Sequence, residues 1–289
     1  QVQAGEILVT EKTDPDWEPV MRRVAAIVTD QGGRTAHAAI VSREFGLPCI
    51  VGSTTATRTL TSGSQVTVSC AEGAQGHVYA GAVPYEIDHI DAAAVPKVRT
   101  QVMLTVGDPG KALGLAAIPN SGVGLARTEF IVTHHIGIHP MALARYPKLD
   151  DHSAIAEIAT RIGSEAPNEF FVRRMAEGIG LIAAAFYPKP VIVRTSDFKT
   201  NEYAKLIGGS EFEPTEENPM LGFRGASRYY DPRYADGFAL ECAALKRVRG
   251  EMGLSNVKVM IPFCRTLEEA KLTLDAMAKN GLRQGENSL

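Results

Sequence analysis

The chain is poor in the residues that build covalent or metal frameworks. It has four cysteines in 289 residues. Cys49, Cys70, Cys242 and Cys264 form no C-x-x-C pair and have no histidine at ligand spacing, so neither a disulfide scaffold nor a zinc site is expected. Cys49 and Cys70 lie in apolar, strand-like runs and read as small buried hydrophobes; a reducing compartment, the cytoplasm, fits. No apolar run approaches the ~20 residues that a membrane-spanning helix needs. The first ten residues, QVQAGEILVT, lack the basic and apolar regions of a signal peptide. With no initiator methionine and a strand close by, they read as an internal cut point. Charge of neither sign dominates: the formal net charge is -3. Nucleic acid and membrane are therefore not expected as partners, and an anionic ligand would have to be held by locally placed cations.

What is there is the composition of a globular protein, 45% hydrophobic and 22% charged, with 27 glycines and 16 prolines. Its length suits one large domain or two ordinary ones. The most informative stretch runs from Asp30 to Ile50, DQGGRTAHAAIVSREFGLPCI. An apolar strand candidate, AAIVTD, runs into Gly32 and Gly33. A helix is expected over residues 36–45, stopped by Gly46, Leu47 and Pro48, with Ala39, Ile40 and Phe45 turned to a core. His37 falls in its first turn, where unpaired backbone N–H groups and the positive end of the dipole suit an anion. The two glycines let the backbone approach that anion without Cβ atoms in the way. A neutral imidazole placed there can attack phosphorus and hold a phosphoryl group beside those donors, so His37 is the candidate catalytic nucleophile. Gly32, Gly33 and Thr35 form the candidate phosphate loop, with Thr35 also read as a helix cap. Arg34 is a nearby cation.

Residues 1–90 read as one mixed α/β unit, with strands at GEILVT, AAIVTD, CIVG, SQVTVSC and GHVYA. Periodicity is weak from residue 87 to 100, and residues 91–100 are assigned to a linker. Beyond it strands and helices alternate, the rhythm of parallel β/α units. Strands are expected over 102–108, 122–128, 191–197, 220–226 and 257–263, and helices over 109–117, 238–252 and 266–279. A polar, helix-rich insertion is placed at about 133–180. Five such repeats amount to an incomplete (β/α)8 barrel over 101–289, because a TIM-type barrel needs eight. Such a half-barrel would leave sheet edges open, so the chain is expected to be a piece of something longer.

Arg127, Arg194 and Arg224 each follow an apolar run and would stand at the C-terminal ends of consecutive strands, the reactive face of such a barrel. Guanidinium forks bind phosphate and carboxylate bidentately and stabilise the charge of a transferring phosphoryl group. Glu129, Asp197 and Glu202 are candidate carboxylates to orient them. Asn218, before Pro219, reads as a turn start. His134, His135 and His139 lack ligand spacing; they read as surface or insertion contacts, and no metal site is assigned.

The segment GGRTAHAAIVSREFGLPCIVG resembles the swivelling phosphohistidine domain of the phosphoenolpyruvate-utilising enzymes. GVGLARTEF with HHIGIHP, VIVRTSDFKTNEY, EENPMLGFRGASRY and VKVMIPFCRT are similar to the substrate-binding barrel of the same enzymes. The similarity covers essentially the whole chain and is weakest across the insertion. It implies an α/β protein, a mixed α/β swivelling phosphohistidine domain followed by an incomplete (β/α)8 TIM-type barrel. It further implies His37 as the phosphorylated residue, Arg127 and Arg194 as substrate-binding, and Arg224 as a third contact. The extended SDFKTNEYA and the pair Gly208-Gly209 favour the pyruvate, water dikinase branch. The phosphate-using dikinase and enzyme I-like phosphotransferases are the alternatives within the family, and a non-catalytic phosphocarrier the alternative outside it.

For the whole enzyme the resemblance implies formation of phosphoenolpyruvate from pyruvate, ATP and water, through a phosphohistidine, with AMP and phosphate released. ATP would act through an ATP-grasp domain that has no counterpart in these residues. Mg²⁺ is the implied cofactor, its Glu and Asp ligands and a proton-donating Cys being expected on barrel strands beyond this chain. Pyruvate and phosphoenolpyruvate are the implied partners, with a homodimer left open.

Overall fold

The computed structural model describes residues 2–14, 17–73, 75–87, 91, 94, 96 and 98–286. The chain divides into two compact units, Gln1–Ile90 and Asp91–Leu289. Residues 92, 93, 95 and 97 of the expected linker lie outside the described residues.

In the first unit the run AIVT, without polar alternation, is the pattern of a parallel strand covered on both faces. It forms β2 (Ala26–Thr29), every residue of which is buried. Around it the order is β1 (Ile7–Thr10), α1 (Glu18–Met21), β2, α2 (His37–Phe45), β3 (Cys49–Ile50), α3 (Ala56–Thr59), β4 (Val66–Ser69) and β5 (His77–Ala80). β2 is the middle strand of a three-stranded parallel sheet, with Ile7 opposite Ala26 and Ile27 opposite Cys49. β4 and β5 pair antiparallel, Val66 opposite Ala80. Met21, Val24 and Ile27 form the core, and Val41 and Phe45 of α2 pack on it. The inward stripe of α2 is therefore Ala38, Val41, Ser42 and Phe45, spaced three and four apart. Ile40, expected inside, falls off that stripe and is 37% exposed. Gly46 ends the helix at φ 67°, its N–H bonded to the Arg43 carbonyl and that of Leu47 to the Ser42 carbonyl. Cys49 is half-buried and Cys70 exposed, not buried as expected; β4 ends at Ser69, so Cys70 lies past the ladder.

The second unit contains β6 (Leu104–Val106), α4 (Ala112–Ala116), β7 (Val123–Arg127), α5 (Thr128–Phe130), α6 (Pro140–Arg145), α7 (His152–Ile162), α8 (Pro167–Phe186), β8 (Val191–Arg194), α9 (Thr200–Tyr203), α10 (Ala226–Tyr229), α11 (Ala235–Gly250), β9 (Val257–Met260) and α12 (Leu267–Lys279). A π-helical stretch, Ile131–Ile136, continues α5. The strands make one four-stranded parallel sheet in the order β6-β7-β8-β9. The described residues form no closed barrel.

Two expectations fail here for physical reasons. Residues 220–226 are not a strand: β8 pairs directly with β9, with Val191 opposite Val257. Gly225 adopts φ 61° and ψ -135° and precedes α10; a Cβ there would lie 2.5 Å from the Pro262 carbonyl oxygen. That conformation and close approach suit glycine and break extended pairing. The stretch placed in a polar insertion is also central to the core. α8 buries Phe170, Phe171, Met175, Ile179, Ile182 and Phe186, while Arg173, Arg174 and Glu177 occupy its outer face, with an Arg173–Glu177 ion pair at 2.8 Å. Charged residues raise the average polarity without touching the inner stripe.

Gly178 tests this packing. Glycine in a helix interior normally costs ~1 kcal/mol relative to alanine, but a Cβ at Gly178 would lie 2.8–2.9 Å from three side-chain carbons of Ile131. Gly178→Ala is expected to destabilise the protein, by about 1–3 kcal/mol, in urea unfolding. A more stable variant would show that the helix does not press on Ile131.

Candidate functional site

The loop leaving β2 carries the first group of residues. His37 is the first residue of α2, and the cap position is Ala36, in an extended conformation with no side-chain cap. Thr35 is exposed and does not cap the helix as expected. The N–H groups of the first turn are left to another acceptor. The His37 ring is half-buried, with its Nδ1 3.2 Å from the Thr13 hydroxyl. A partner on one ring nitrogen fixes ring orientation and tautomer.

The two glycines differ. Gly32 has φ +118°, and a Cβ on it would lie 2.9 Å from Ala36 Cβ; the turn itself requires it. Gly33 has open space around its would-be Cβ, so the fold does not need glycine there. Gly52, which sequence reasoning missed, has φ +75° and would press a Cβ to 2.9 Å from the Gly32 carbonyl oxygen. Asp30 ties the loop to α3. Its carboxylate accepts from the Thr57 hydroxyl, from Thr57 N–H at 3.2 Å and from the Ser53 hydroxyl at 3.0 Å. These bonds, the Thr57 hydroxyl foremost, hold the carboxyl below its ordinary pKa. Arg34 is exposed, and its carbonyl accepts from Arg43 at 3.4 Å.

The second group lies at one end of the parallel sheet. Arg127 and Arg194 close β7 and β8 and are cross-strand partners. Arg224 is on no strand, yet it joins Arg194 through one carboxylate. Asp197 receives Arg194 Nη1 on Oδ2 at 3.1 Å, Arg224 Nε on Oδ1 at 2.7 Å and Arg224 Nη2 on Oδ2 at 3.1 Å. The Arg224 guanidinium also lies over the Phe263 ring, 4.1 Å from its centre. Glu129 braces the other side of Arg194, at 3.0 Å from Nη2, and accepts the Asp197 N–H at 2.6 Å on the same oxygen. Burial pushes the Glu129 carboxyl up, against the pull of Arg194. Glu129 Oε2 and Arg194 Nε are both buried without a hydrogen-bond partner, so this corner retains unspent bonding capacity.

Other candidates fall elsewhere. Glu202 does not reach the arginines; it pairs with Lys199 Nζ at 3.0 Å and accepts the Lys199 N–H, capping α9. Asn218 accepts the Met220 N–H at 3.2 Å, a local turn. His135 is exposed and His134 bonds the Phe130 carbonyl at 3.0 Å. His139 is fully buried rather than at the surface, its Nδ1 accepting the Met141 N–H at 3.1 Å and its Nε2 3.0 Å from Glu213 Oε1. Glu213 in turn binds both Nη atoms of Arg228. Among the described residues no group of three or more His, Cys, Asp or Glu side chains is placed to hold a metal ion. No helix among the described residues is long and apolar enough to cross a membrane.

An arginine-rich corner on a parallel sheet, and a histidine at a glycine-lined helix start, occupy two segments of known type. Residues 2–73 match the PEP-utilising enzyme, mobile domain, and residues 85–287 match the PEP-utilising enzyme, PEP-binding domain. The chain belongs to the PEP-utilising enzyme family. It is similar to proteins named phosphoenolpyruvate synthase from Synechocystis sp. (55% identical over 291 residues, 100% of this chain and 36% of the relative), Deinococcus radiodurans (56% over 289 residues, 100% and 37%) and Escherichia coli (51% over 293 residues, 100% and 36%). The chain thus spans little more than a third of the length of these relatives.

Within this PEP-utilising chain the contrast between the two loop glycines is measurable. Gly32→Ala is expected to lower the stability of the first unit by about 1–3 kcal/mol, because both its φ and its space forbid a Cβ. Gly33→Ala is expected to stay within about 0.5 kcal/mol of the parent. Thermal unfolding compares them; equal effects would contradict the loop geometry.

Proposed function

We propose that the chain carries the phosphohistidine and the anion-binding side of the pyruvate site of a pyruvate, water dikinase. Residues 1–90 form the phosphohistidine carrier and 91–100 the linker. Residues 101–289 form the N-terminal part of a (β/α)8 PEP/pyruvate-binding barrel. The observation that supports this reading best is the Asp197 bridge, which joins Arg194 and Arg224 beside the cross-strand partner Arg127. Phosphoenolpyruvate presents a phosphate and a carboxylate, and planar guanidinium groups bind both with two parallel bonds.

In the first half-reaction a lone pair of the His37 imidazole attacks a phosphorus of ATP. A P–N bond forms as the P–O bond to the departing AMP breaks. Water then cleaves the remaining phosphoanhydride to release phosphate and leave one phosphoryl group on His37, and the amides of the α2 start and of Gly32 and Gly33 receive its oxygens. In the second, pyruvate gives up a methyl proton to a base and its enolate oxygen attacks that phosphorus; the P–N bond breaks and phosphoenolpyruvate forms. Arg194, Arg224 and Arg127 hold the carboxylate and neutralise charge on the transferring group. One covalent intermediate lets two distant sites share one phosphoryl group. Mg²⁺ would supply further charge neutralisation to such a transfer. ATP as donor, through a separate nucleotide-binding domain, and a cytoplasmic setting complete the reading; the free state of all four cysteines accords with the latter.

Phosphoenolpyruvate carrying a labelled phosphoryl group, supplied with Mg²⁺ to the full-length protein, is expected to deposit acid-labile, base-stable label on His37. The label should be absent in His37→Ala. Arg194→Ala is expected to slow this labelling on the order of 10²- to 10³-fold, while labelling from ATP proceeds normally. Undiminished label in His37→Ala would refute the assignment. Consumption rather than release of phosphate during turnover would point to the phosphate-using dikinase instead.

A further inference from the structure

Asp197 can hold two guanidinium groups in fixed register only if its own backbone is fixed, and the peptide before it is gripped from both sides. The Ser196 N–H donates to Glu241 Oε2 at 3.0 Å, and the Ser196 carbonyl accepts from the Tyr229 hydroxyl at 2.8 Å. Its neighbours are pinned too: the Thr195 N–H donates to the Met260 carbonyl at 3.1 Å, and the Asp197 N–H to Glu129. Glu241 belongs to α11 and Tyr229 to α10, so two helices behind the sheet end determine where this loop sits.

Glu241 is 2% exposed, a costly place for a carboxylate unless it is fully hydrogen-bonded. It is: Oε1 accepts from the Ser196 hydroxyl and from the Tyr234 hydroxyl at 3.1 Å, and Oε2 accepts the Ser196 N–H. Tyr203 closes a ring, its hydroxyl 2.7 Å from Ser196 Oγ and 2.6 Å from the Tyr234 oxygen. Three donors converge on the carboxylate, and Tyr203 alone retains a choice of acceptor. Packing alone would be served as well by a leucine on α11. What a leucine cannot do is accept the Ser196 N–H.

We infer that Glu241 is a positioning residue for the anion site: by accepting the Ser196 N–H it fixes Asp197, and through Asp197 the spacing of Arg194 and Arg224. This inference rests on the reading of those arginines as the PEP/pyruvate site. Glutamine at 241 keeps the shape but replaces one acceptor oxygen with an NH₂ donor, so the three incoming donors cannot all be satisfied. Tyr229→Phe removes the hydroxyl that donates to the Ser196 carbonyl.

The test uses the full-length protein, with labelling of His37 read separately from phosphoenolpyruvate and from ATP labelled in its β- and γ-phosphates. Glu241→Gln is expected to raise KM for phosphoenolpyruvate about tenfold or more, with a smaller change in kcat and an unchanged rate of labelling from ATP. Tyr229→Phe should move KM in the same direction by about threefold. A folded Glu241→Gln protein with the parent KM, whatever its melting temperature, overturns the inference, since a purely structural role would appear in melting alone. Should Glu241→Gln fail to fold, Tyr229→Phe decides: a raised KM supports the inference and a parental KM overturns it. Parent protein that takes no label from phosphoenolpyruvate would refute the reading of the site itself, and the inference with it.

Discussion

One carboxylate shared between two guanidinium groups is the interaction on which the chemistry proposed for the second unit depends. Asp197 is only 6% exposed, and a charge so placed is stable only when paired and hydrogen-bonded. It has Arg194 on one side and Arg224 on the other. Glu129 is a second carboxyl in the corner, its pKa raised by burial against the pull of Arg194. This gathering of guanidinium groups arises from the fold rather than from the chain's overall charge, which is slightly negative.

The first unit solves a different problem, holding one imidazole at a helix start, where the proposed function has it receive a phosphoryl group. β2 is buried throughout and ends at Thr29; Asp30 then anchors the loop to α3, and Gly32 turns the chain so that α2 begins at His37. Thr13 steadies the ring. The bonds that hold this loop span 24 and 27 positions, whereas the arginine corner also draws on bonds that span 65 and 68.

That difference explains what could be read without coordinates. The glycine turn, the helix start at His37 and the arginines closing β7 and β8 are signalled by local patterns: apolar runs, glycine pairs and strand-end charges. The central position of α8 was hidden because Arg173, Arg174 and Glu177 raise its polarity while its inner stripe remains apolar. Residues 220–226 have the composition of a weak strand, but the conformation of Gly225 is set by the Pro262 carbonyl, a long-range contact. Arg224 therefore reaches Asp197 from outside any strand, not from the strand expected for it. Glu241 and Arg228 could not be found at all, since a buried charged residue on a helix looks like a solvated one until its partners are known. The Ser196–Glu241 bond spans 45 positions.

The most direct test of the shared-carboxylate site is to follow the Nε–H resonances of Arg194 and Arg224 while phosphoenolpyruvate is titrated into ¹⁵N-labelled protein. The account predicts that both signals move together along one binding curve, and that Asp197→Asn uncouples them. Signals that stay still at saturating ligand, or that titrate with separate midpoints in the parent protein, would contradict it.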